Sequence, residues 1–196
     1  MPDIKFPDPS IDLRDAFAWV VANVGSVNHG MGAKADLSRV FFMGHSAGST
    51  SIATLMLLPG LLPADLRSRI VGLVVLSGAY DFRGAPSTSP EFLRQYFGPS
   101  TEDVRKREPL GLLENAPKAI LSDFPPALAL IGEYEFPPLL QSHGNFVPVL
   151  RSKVSSPVEE LLMKGHNHLS PSYSLFSGEG EDWGFEVSSW MKGRSR

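Results

Sequence analysis

The chain has 196 residues, no cysteine and a formal net charge of −3 at pH 7, and 42% of its residues are hydrophobic. This length supports one substantial core, so we expect residues 1–196 to form a single domain. Charges of mixed sign without a basic stripe argue against nucleic acid and anionic lipid as partners, and the lack of cysteine excludes disulfides and thiolate metal sites. The sequence has no apolar run long enough for a membrane span and no signal peptide pattern, so we expect a cytoplasmic protein.

The N-terminal part of the chain predicts one amphipathic helix. A proline-rich segment over residues 1–9 is followed by Ser10, a favourable N-cap, and by a helical apolar pattern over residues 11–24. The apolar face of this helix comprises Leu13, Phe17, Val20, Val21 and Val24. A glycine-rich loop over residues 25–34 is predicted to follow it.

An apolar run at residues 40–43 ends abruptly in Gly44-His45-Ser46-Ala47-Gly48. The pattern predicts a buried strand, then a sharp turn with Ser46 at its apex, then a helix over residues 47–58. Such a turn strains the apical residue and leaves no room for side chains two positions before and after it, which the two glycines satisfy. The strain exposes the serine hydroxyl, and the amide of Ala47 at the helix start points to where an oxyanion would form.

The rest of the chain alternates between strand and helix patterns. Predicted strands are residues 70–77, 127–132 and 158–163, and predicted helices are residues 90–97, 102–107, 138–153 and 182–192. This alternation indicates an α/β fold with a mostly parallel sheet flanked by helices. The long segment between the second and third strands, residues 82–123, is predicted to be a helical insertion that serves as a lid or a pocket wall.

Chemically active side chains follow three of these strands, and parallel strands end at the same edge of a sheet. Ser46 follows the first strand, Glu135 the third, and either His166 or His168 the fourth. A serine hydroxyl becomes a nucleophile when an imidazole takes its proton and a carboxylate orients that imidazole. Asp81, after the second strand, is an alternative to Glu135 as the carboxylate.

Four stretches in this order resemble the α/β-hydrolase superfamily, in particular its esterase and lipase branch, which includes carboxylesterases, hormone-sensitive-lipase-like enzymes and kynurenine-formamidase-like enzymes. The stretches are Gly44-His45-Ser46-Ala47-Gly48, Leu76-Ser77-Gly78-Ala79-Tyr80-Asp81, Leu130-Ile131-Gly132-Glu133-Tyr134-Glu135 and Gly165-His166-Asn167-His168. The resemblance implies that Ser46 is the nucleophile, Glu135 the acid and His168 the base. Members of the family usually carry Asp at the acid position, and they need no cofactor.

The remaining histidines and acids have simpler interpretations. His45 is expected to pack beneath the turn, His143 to be structural or solvated on a helix, and Glu133 to lie on the surface. The His166–His168 spacing allows two metal ligands, but the sequence offers no third, so we expect no metal site.

One feature of the resembling family is missing. Its members carry a His-Gly-Gly stretch after an earlier strand, whose amides complete the oxyanion hole. This sequence has none, so we expect a partial fold that lacks about its first third and has the Ala47 amide as its one identifiable oxyanion donor. The strand at residues 40–43 should then have an open apolar edge, which a second copy, an unusual path of residues 1–36, or aggregation would cover.

The predicted function is a serine hydrolase that cleaves a small-molecule carboxylic ester, or an activated amide, through an acyl-enzyme. The alternative is a truncated, catalytically impaired remnant or partner-binding module. Aromatic residues predicted for an acyl pocket are Tyr80, Phe82, Tyr96, Phe97 and Phe136.

Overall fold

The computed structural model describes residues 3–27, 35–83 and 90–194. Its four strands are β1 (Val40–His45), β2 (Ile70–Leu76), β3 (Ala127–Tyr134) and β4 (Val158–Asn167). Its helices are α1 (Asp8–Val27), α2 (Ala47–Leu57), α3 (Ala64–Arg67), α4 (Pro90–Phe97), α5 (Thr101–Arg107), α6 (Pro109–Glu114), α7 (Lys118–Ser122), α8 (Pro137–Lys153), α9 (Ser170–Ser174) and α10 (Asp182–Arg194).

The strands form one parallel sheet in the order β1-β2-β3-β4, which confirms the predicted α/β fold. Helices cover both faces of the sheet at β2 and β3, which is why these two strands are mostly buried and read as continuous apolar runs. One face packs against α1, α2, α6 and α8, and the other against α10. Since all four strands run in the same direction, their carboxyl ends meet at one edge, where the site described below lies.

Two apolar cores fill the space between the sheet and its helices. On the first face, Phe17 of α1 meets Phe42 of β1 edge to face at 4.9 Å, and Leu55 and Leu57 of α2 are fully buried. Burial of one such leucine side chain contributes about 1.5–3 kcal/mol. On the second face, Trp183, Val187 and Trp190 of α10 pack against apolar residues of β2, β3 and β4.

The segment predicted as a helical insertion contains α4, α5, α6 and α7, with residues 84–89 outside the described ranges. Its small core is formed by Leu93, Phe97 and Val104. Phe6 of the N-terminal segment packs onto this core, and its amide donates to the carbonyl of Tyr96 at 2.9 Å. The insertion and the N-terminal segment therefore pack against each other.

Several boundaries differ from the predictions. α1 begins at Asp8 and continues through Val27, so it replaces the start of the predicted glycine-rich loop, and residues 28–34 of that loop lie outside the described residues. β4 continues to Asn167, because its end pairs with Tyr134 of β3 after a local irregularity. The short helices α3, α6, α7 and α9 were not predicted.

β1 is an edge strand, as predicted: among the described residues its only strand partner is β2. Phe17 of α1 packs on the face of β1, and residues 28–34 lie outside the described residues. Phe41 contacts Trp190 on the opposite face, while Met43 is 49% exposed. Self-association of a second copy through this edge stays a prediction, which gel filtration would test. None of the described helices is long and apolar enough to cross a membrane.

Candidate active site

The turn between β1 and α2 has the predicted strained geometry. Ser46 has φ 54° and ψ −119°, a conformation that non-glycine residues adopt rarely and at a cost of about 1–3 kcal/mol. Its amide donates to the carbonyl of Leu76 at 2.9 Å, which ties the turn to β2. A Cβ on Gly44 would lie 2.8 Å from the backbone of Gly48, so Gly44 is required by close approach. The same prediction was wrong for Gly48, where a Cβ would meet nothing within 4 Å.

Two side chains that sequence reasoning missed hold this turn in place. The buried hydroxyl of Ser49 donates to the carbonyl of Gly44 at 2.6 Å and accepts the amide of Leu76 at 2.9 Å. The hydroxyl of Thr50 donates to the carbonyl of Ala79 at 2.9 Å. The start of α2 is thus bonded to both β1 and the loop after β2. Polar residues at the start of an otherwise apolar helix were the available signal.

Ser46, His168 and Glu135 lie in hydrogen-bonding contact. The Oγ of Ser46 is 2.9 Å from Nε2 of His168, and Nδ1 of His168 is 3.1 Å from both carboxylate oxygens of Glu135. Because a carboxylate accepts, Nδ1 carries the proton, and Nε2 is then free to accept the serine hydroxyl. The three groups are brought together from three different strand ends.

Glu135 is held by its surroundings. It directly follows β3, is 5% exposed, and accepts the amide of Phe136 at 2.8 Å on one carboxylate oxygen. The pairing of Tyr134 with Asn167 places the end of β3 beside the end of β4, one residue before His168. The register of the sheet therefore decides which carboxylate meets which imidazole.

Two rings flank the imidazole of His168. The ring of His45 lies 4.7 Å away and that of Phe136 lies 5.6 Å away, measured between centroids. Burial lowers the pKa of His45, and the neighbouring His168 lowers it further. His45 is therefore a neutral ring packed beside the imidazole of His168. It had been predicted to pack beneath the turn.

The two alternative site residues have other partners. Asp81 accepts the backbone amide of Arg83 at 2.9 Å and the side-chain amide of Asn145 at 2.6 Å. His166 is buried, and its ring nitrogens bond to Ser170 and to the carbonyl of Gly180. Within the described residues, no hydrogen bond joins Asp81 or His166 to Ser46 or to His168.

His143 and Glu133, which were predicted to have no catalytic role, bond to residues outside the series of Ser46, His168 and Glu135. His143 is buried on α8, where its Nε2 is 3.2 Å from a carboxylate oxygen of Glu160. Glu133 is exposed, as expected, but its carboxylate also accepts the amide of Gly165 at 2.7 Å. The described residues contain no group of three or more His, Cys, Asp or Glu side chains arranged to hold a metal ion.

A cavity of about 380 Å³ opens beside Ser46. Among the described residues its lining carries no charged side chain: Ile4, Pro9, Ser46, Ala47, Thr50, Ser51, Ala79, Phe82, Phe92, Gln95, Tyr96 and Phe97. Of the five aromatic residues predicted for an acyl pocket, Phe82, Tyr96 and Phe97 line it. Tyr80 does not, because it is fully buried and stacked on Phe146 at 4.3 Å, and Phe136 instead packs beside His168.

Comparisons with known proteins agree with this architecture. A family model described as the alpha/beta hydrolase fold matches residues 1–171. Among solved structures, the chain is similar to an esterase of Pyrobaculum calidifontis, with 22% identity and a TM-score of 0.70 over 99% of this chain and 63% of the esterase. It is also similar to EstE1, a thermostable carboxylesterase from a metagenomic library, with 19% identity and a TM-score of 0.69 over 98% of this chain and 66% of that protein.

A fungal esterase from Rhizomucor miehei is a third similar structure, with 20% identity and a TM-score of 0.68 over 98% of this chain and 61% of that protein. The chain therefore spans only 61% to 66% of the length of these three proteins. No curated protein matches the chain. At these identities the solved structures establish the fold, and the family model covers most of the sequence. The chain belongs to the α/β-hydrolase fold family.

Proposed function

We propose that this protein is a serine hydrolase that cleaves carboxylic esters through an acyl-enzyme intermediate. The observation that carries the proposal is the continuous hydrogen-bonded series from Ser46 through His168 to Glu135. Ser46 Oγ attacks the ester carbonyl carbon while Nε2 of His168 takes the hydroxyl proton. Glu135 fixes the tautomer of His168 and stabilises the imidazolium that forms.

Acylation ends when the bond between the carbonyl carbon and the ester oxygen breaks. His168 gives its proton to the leaving alcohol, and the acyl group remains bonded to Ser46 Oγ. A water molecule then attacks the acyl carbon while His168 takes its proton, and His168 returns that proton to Ser46 Oγ as the bond between Oγ and the acyl carbon breaks and the carboxylic acid leaves. An activated amide follows the same steps with an amine as the leaving group. Every proton passes through one nitrogen, Nε2, which faces the serine.

The amide of Ala47 is the oxyanion donor in this proposal. Ala47 is the first residue of α2, and the first N–H groups of a helix have no partner within it. A negative charge that develops on the carbonyl oxygen is favoured there by both the free amide and the helix dipole. One such donor is worth about 10²- to 10³-fold in rate, so the rate of the whole reaction depends on whether a second donor joins it.

The cavity beside Ser46 favours a neutral, apolar acyl group. The lining residues that the structure describes are all uncharged, and the rings of Phe82, Phe92 and Tyr96 offer apolar contact. Each methylene group that it buries contributes about 0.8 kcal/mol, so longer acyl chains should bind more tightly until the cavity is filled. Esters from acetate to octanoate test this directly.

A fluorophosphonate probe tests the proposed nucleophile. Wild-type protein should become labelled on Ser46, and Ser46→Ala should abolish labelling, as read by mass spectrometry of the digested chain. Ser152→Ala is the matched control, because Ser152 is exposed on α8 and its hydroxyl donates to the carbonyl of Val149 within that helix. Folded wild-type protein that fails to react would overturn the proposal.

The second candidate is a non-catalytic member of the family. It is favoured by one observation: the sequence contains no His-Gly-Gly stretch, whose amides would complete the oxyanion hole. The probe separates the two candidates, because a non-catalytic protein with one oxyanion donor would fold and melt cooperatively yet stay unlabelled.

A further inference from the structure

We propose that His166 is a positioning residue: it anchors the loop that carries His168 and so sets the distance between His168 and Ser46. The proposal rests on the proposed function and extends it to a side chain that touches neither substrate nor Ser46. His166 is 6% exposed, its Nε2 is 2.8 Å from the carbonyl oxygen of Gly180, and its Nδ1 is 3.0 Å from Oγ of Ser170.

The partners of His166 fix its tautomer. A carbonyl oxygen can only accept, so Nε2 carries the proton that bonds to Gly180, and in the neutral ring Nδ1 accepts the hydroxyl of Ser170. That hydroxyl oxygen also accepts the backbone amide of Asn167 at 3.0 Å. The bonds therefore run from Gly180 through the imidazole to the residue directly before His168, and both ring nitrogens are used.

The backbone at Gly180 packs closely against the imidazole of His166. A Cβ on Gly180 would lie 3.2 Å and 3.3 Å from two atoms of the His166 imidazole, and Gly180 has φ +66°. The close approach and the left-handed backbone both favour glycine there. The neighbouring segment is fixed to the core, because Nε1 of Trp183 donates to the buried hydroxyl of Ser174 at 3.0 Å. His166 is therefore bonded to a support that is itself held in place.

The side chain of Asn167 completes the loop. Its Oδ1 accepts the amides of Leu169 at 2.9 Å and Ser170 at 3.0 Å, which closes a tight turn around His168. Proton transfer requires His168 to be held within about 0.5 Å of its productive position, and a misplacement of about 1 Å can cost on the order of 10²-fold in rate. Loss of the His166 anchor should therefore slow the chemistry.

The structure also predicts which kinetic constant changes. The cavity beside Ser46 is lined by the N-terminal segment, the start of α1, the turn at Ser46, α2, the loop after β2 and α4. None of its described lining residues lies between residues 165 and 181. Displacement of the His168 loop should leave substrate binding almost unchanged. A positioning role for His166 therefore appears in kcat and not in KM.

The experiment compares two substitutions in the full chain with p-nitrophenyl butyrate as substrate. His166→Leu removes both hydrogen bonds and should lower kcat about 10²-fold, with KM within about threefold of wild type. His166→Gln keeps a donor that can reach the carbonyl of Gly180. Its kcat should therefore be at least tenfold higher than that of His166→Leu. The rate of fluorophosphonate labelling should follow kcat in both variants.

His143→Gln is the matched control, since His143 is also 6% exposed and bonded, but lies on α8 away from the His168 loop. It should leave kcat unchanged. Where His166→Leu does not fold, Ser170→Ala tests the same series of bonds and should lower kcat about tenfold. The proposal is overturned by wild-type kcat in folded His166→Leu or Ser170→Ala, by a change confined to KM, or by His166→Gln no faster than His166→Leu. Wild-type protein that is never labelled would instead overturn the proposed hydrolase function.

Discussion

Oγ of Ser46 lies 2.9 Å from Nε2 of His168, although 121 residues separate them in the chain and each follows a different strand. The contact exists because β1 and β4 are parallel and end at the same edge of the sheet, with β2 and β3 between them. Proton transfer needs this range of distance, about 2.6–3.2 Å between heavy atoms. The proposed chemistry thus depends on the order and direction of the strands.

The assignment of Glu135 as the acid gives the first prediction. Glu135→Gln keeps the size of the side chain but removes the charge that stabilises the imidazolium, so kcat should fall by about 10²- to 10⁴-fold. Asp81→Asn is the control, because Asp81 bonds to Arg83 and Asn145 and not to His168. Steady-state hydrolysis of p-nitrophenyl butyrate measures both. A large loss in Asp81→Asn with near-normal Glu135→Gln would identify Asp81 as the acid instead.

β2 and β3 could be predicted because burial on both faces gives each of them a continuous apolar run. β1 and β4 are more exposed and could be predicted from the shorter apolar runs at residues 40–43 and 161–163. The helices α6 and α7 could not, since each is only five or six residues long and has no helical repeat to detect. α6 is held by tertiary packing: its residue Leu110 donates its amide to the carbonyl of Tyr80 at 2.8 Å. Such a contact leaves no local pattern in the sequence.

The site shows the same division. The series of Ser46, Glu135 and His168 follows strand ends and could be predicted, whereas the environment of each side chain could not. Tyr80 was predicted to line the acyl pocket because it is aromatic and follows a strand. The structure instead buries it against Phe146. His166 looked like an alternative base because its partner, the carbonyl of Gly180, is distant in the chain and carries no side-chain signal.

The two glycines of the turn should respond differently to alanine. Gly44→Ala places a methyl group 2.8 Å from the backbone of Gly48, so the free energy of unfolding should fall by about 1–3 kcal/mol or more. Gly48→Ala meets open space in the first turn of α2 and should raise that free energy by up to about 1 kcal/mol. Urea unfolding followed by circular dichroism measures both. Equal losses in the two variants would contradict the geometry of the turn.

Phe92 should control the preference for acyl-chain length. It lines the cavity beside Ser46 but is 58% exposed, so its removal should open the cavity without disturbing the core. In Phe92→Ala, kcat/KM for octanoate esters should fall about tenfold while that for acetate esters stays the same, because about two methylene groups lose their apolar contact at about 0.8 kcal/mol each.

Phe185→Ala is the control for Phe92→Ala. Phe185 is 68% exposed on α10 and is not among the residues that line this cavity. In Phe185→Ala, the ratio of kcat/KM for octanoate esters to kcat/KM for acetate esters should equal that of the wild type. An unchanged ratio in Phe92→Ala, or an equal change in both variants, would show that long acyl chains bind elsewhere.

Stability should fall on mild acidification because of His143. Burial lowers the pKa of His143 below its ordinary value, despite the opposing effect of Glu160. Between that lowered pKa and the unfolded value of about 6.5, the unfolded chain binds more protons than the folded chain, so the free energy of unfolding decreases as pH falls from about 7. His45, whose pKa is also lowered by burial, contributes in the same direction.

His143→Phe removes the titrating group and should flatten this dependence. The difference in the free energy of unfolding between pH 7.5 and pH 5.5 should shrink by about 1.4 kcal/mol for each unit by which the pKa is lowered. His143→Gln separates this effect from the bond to Glu160, because Gln does not titrate but can still donate to that carboxylate. Urea unfolding at the two pH values should therefore give a flatter profile in both variants, and a wild-type slope in both would show that protonation of His143 does not limit stability.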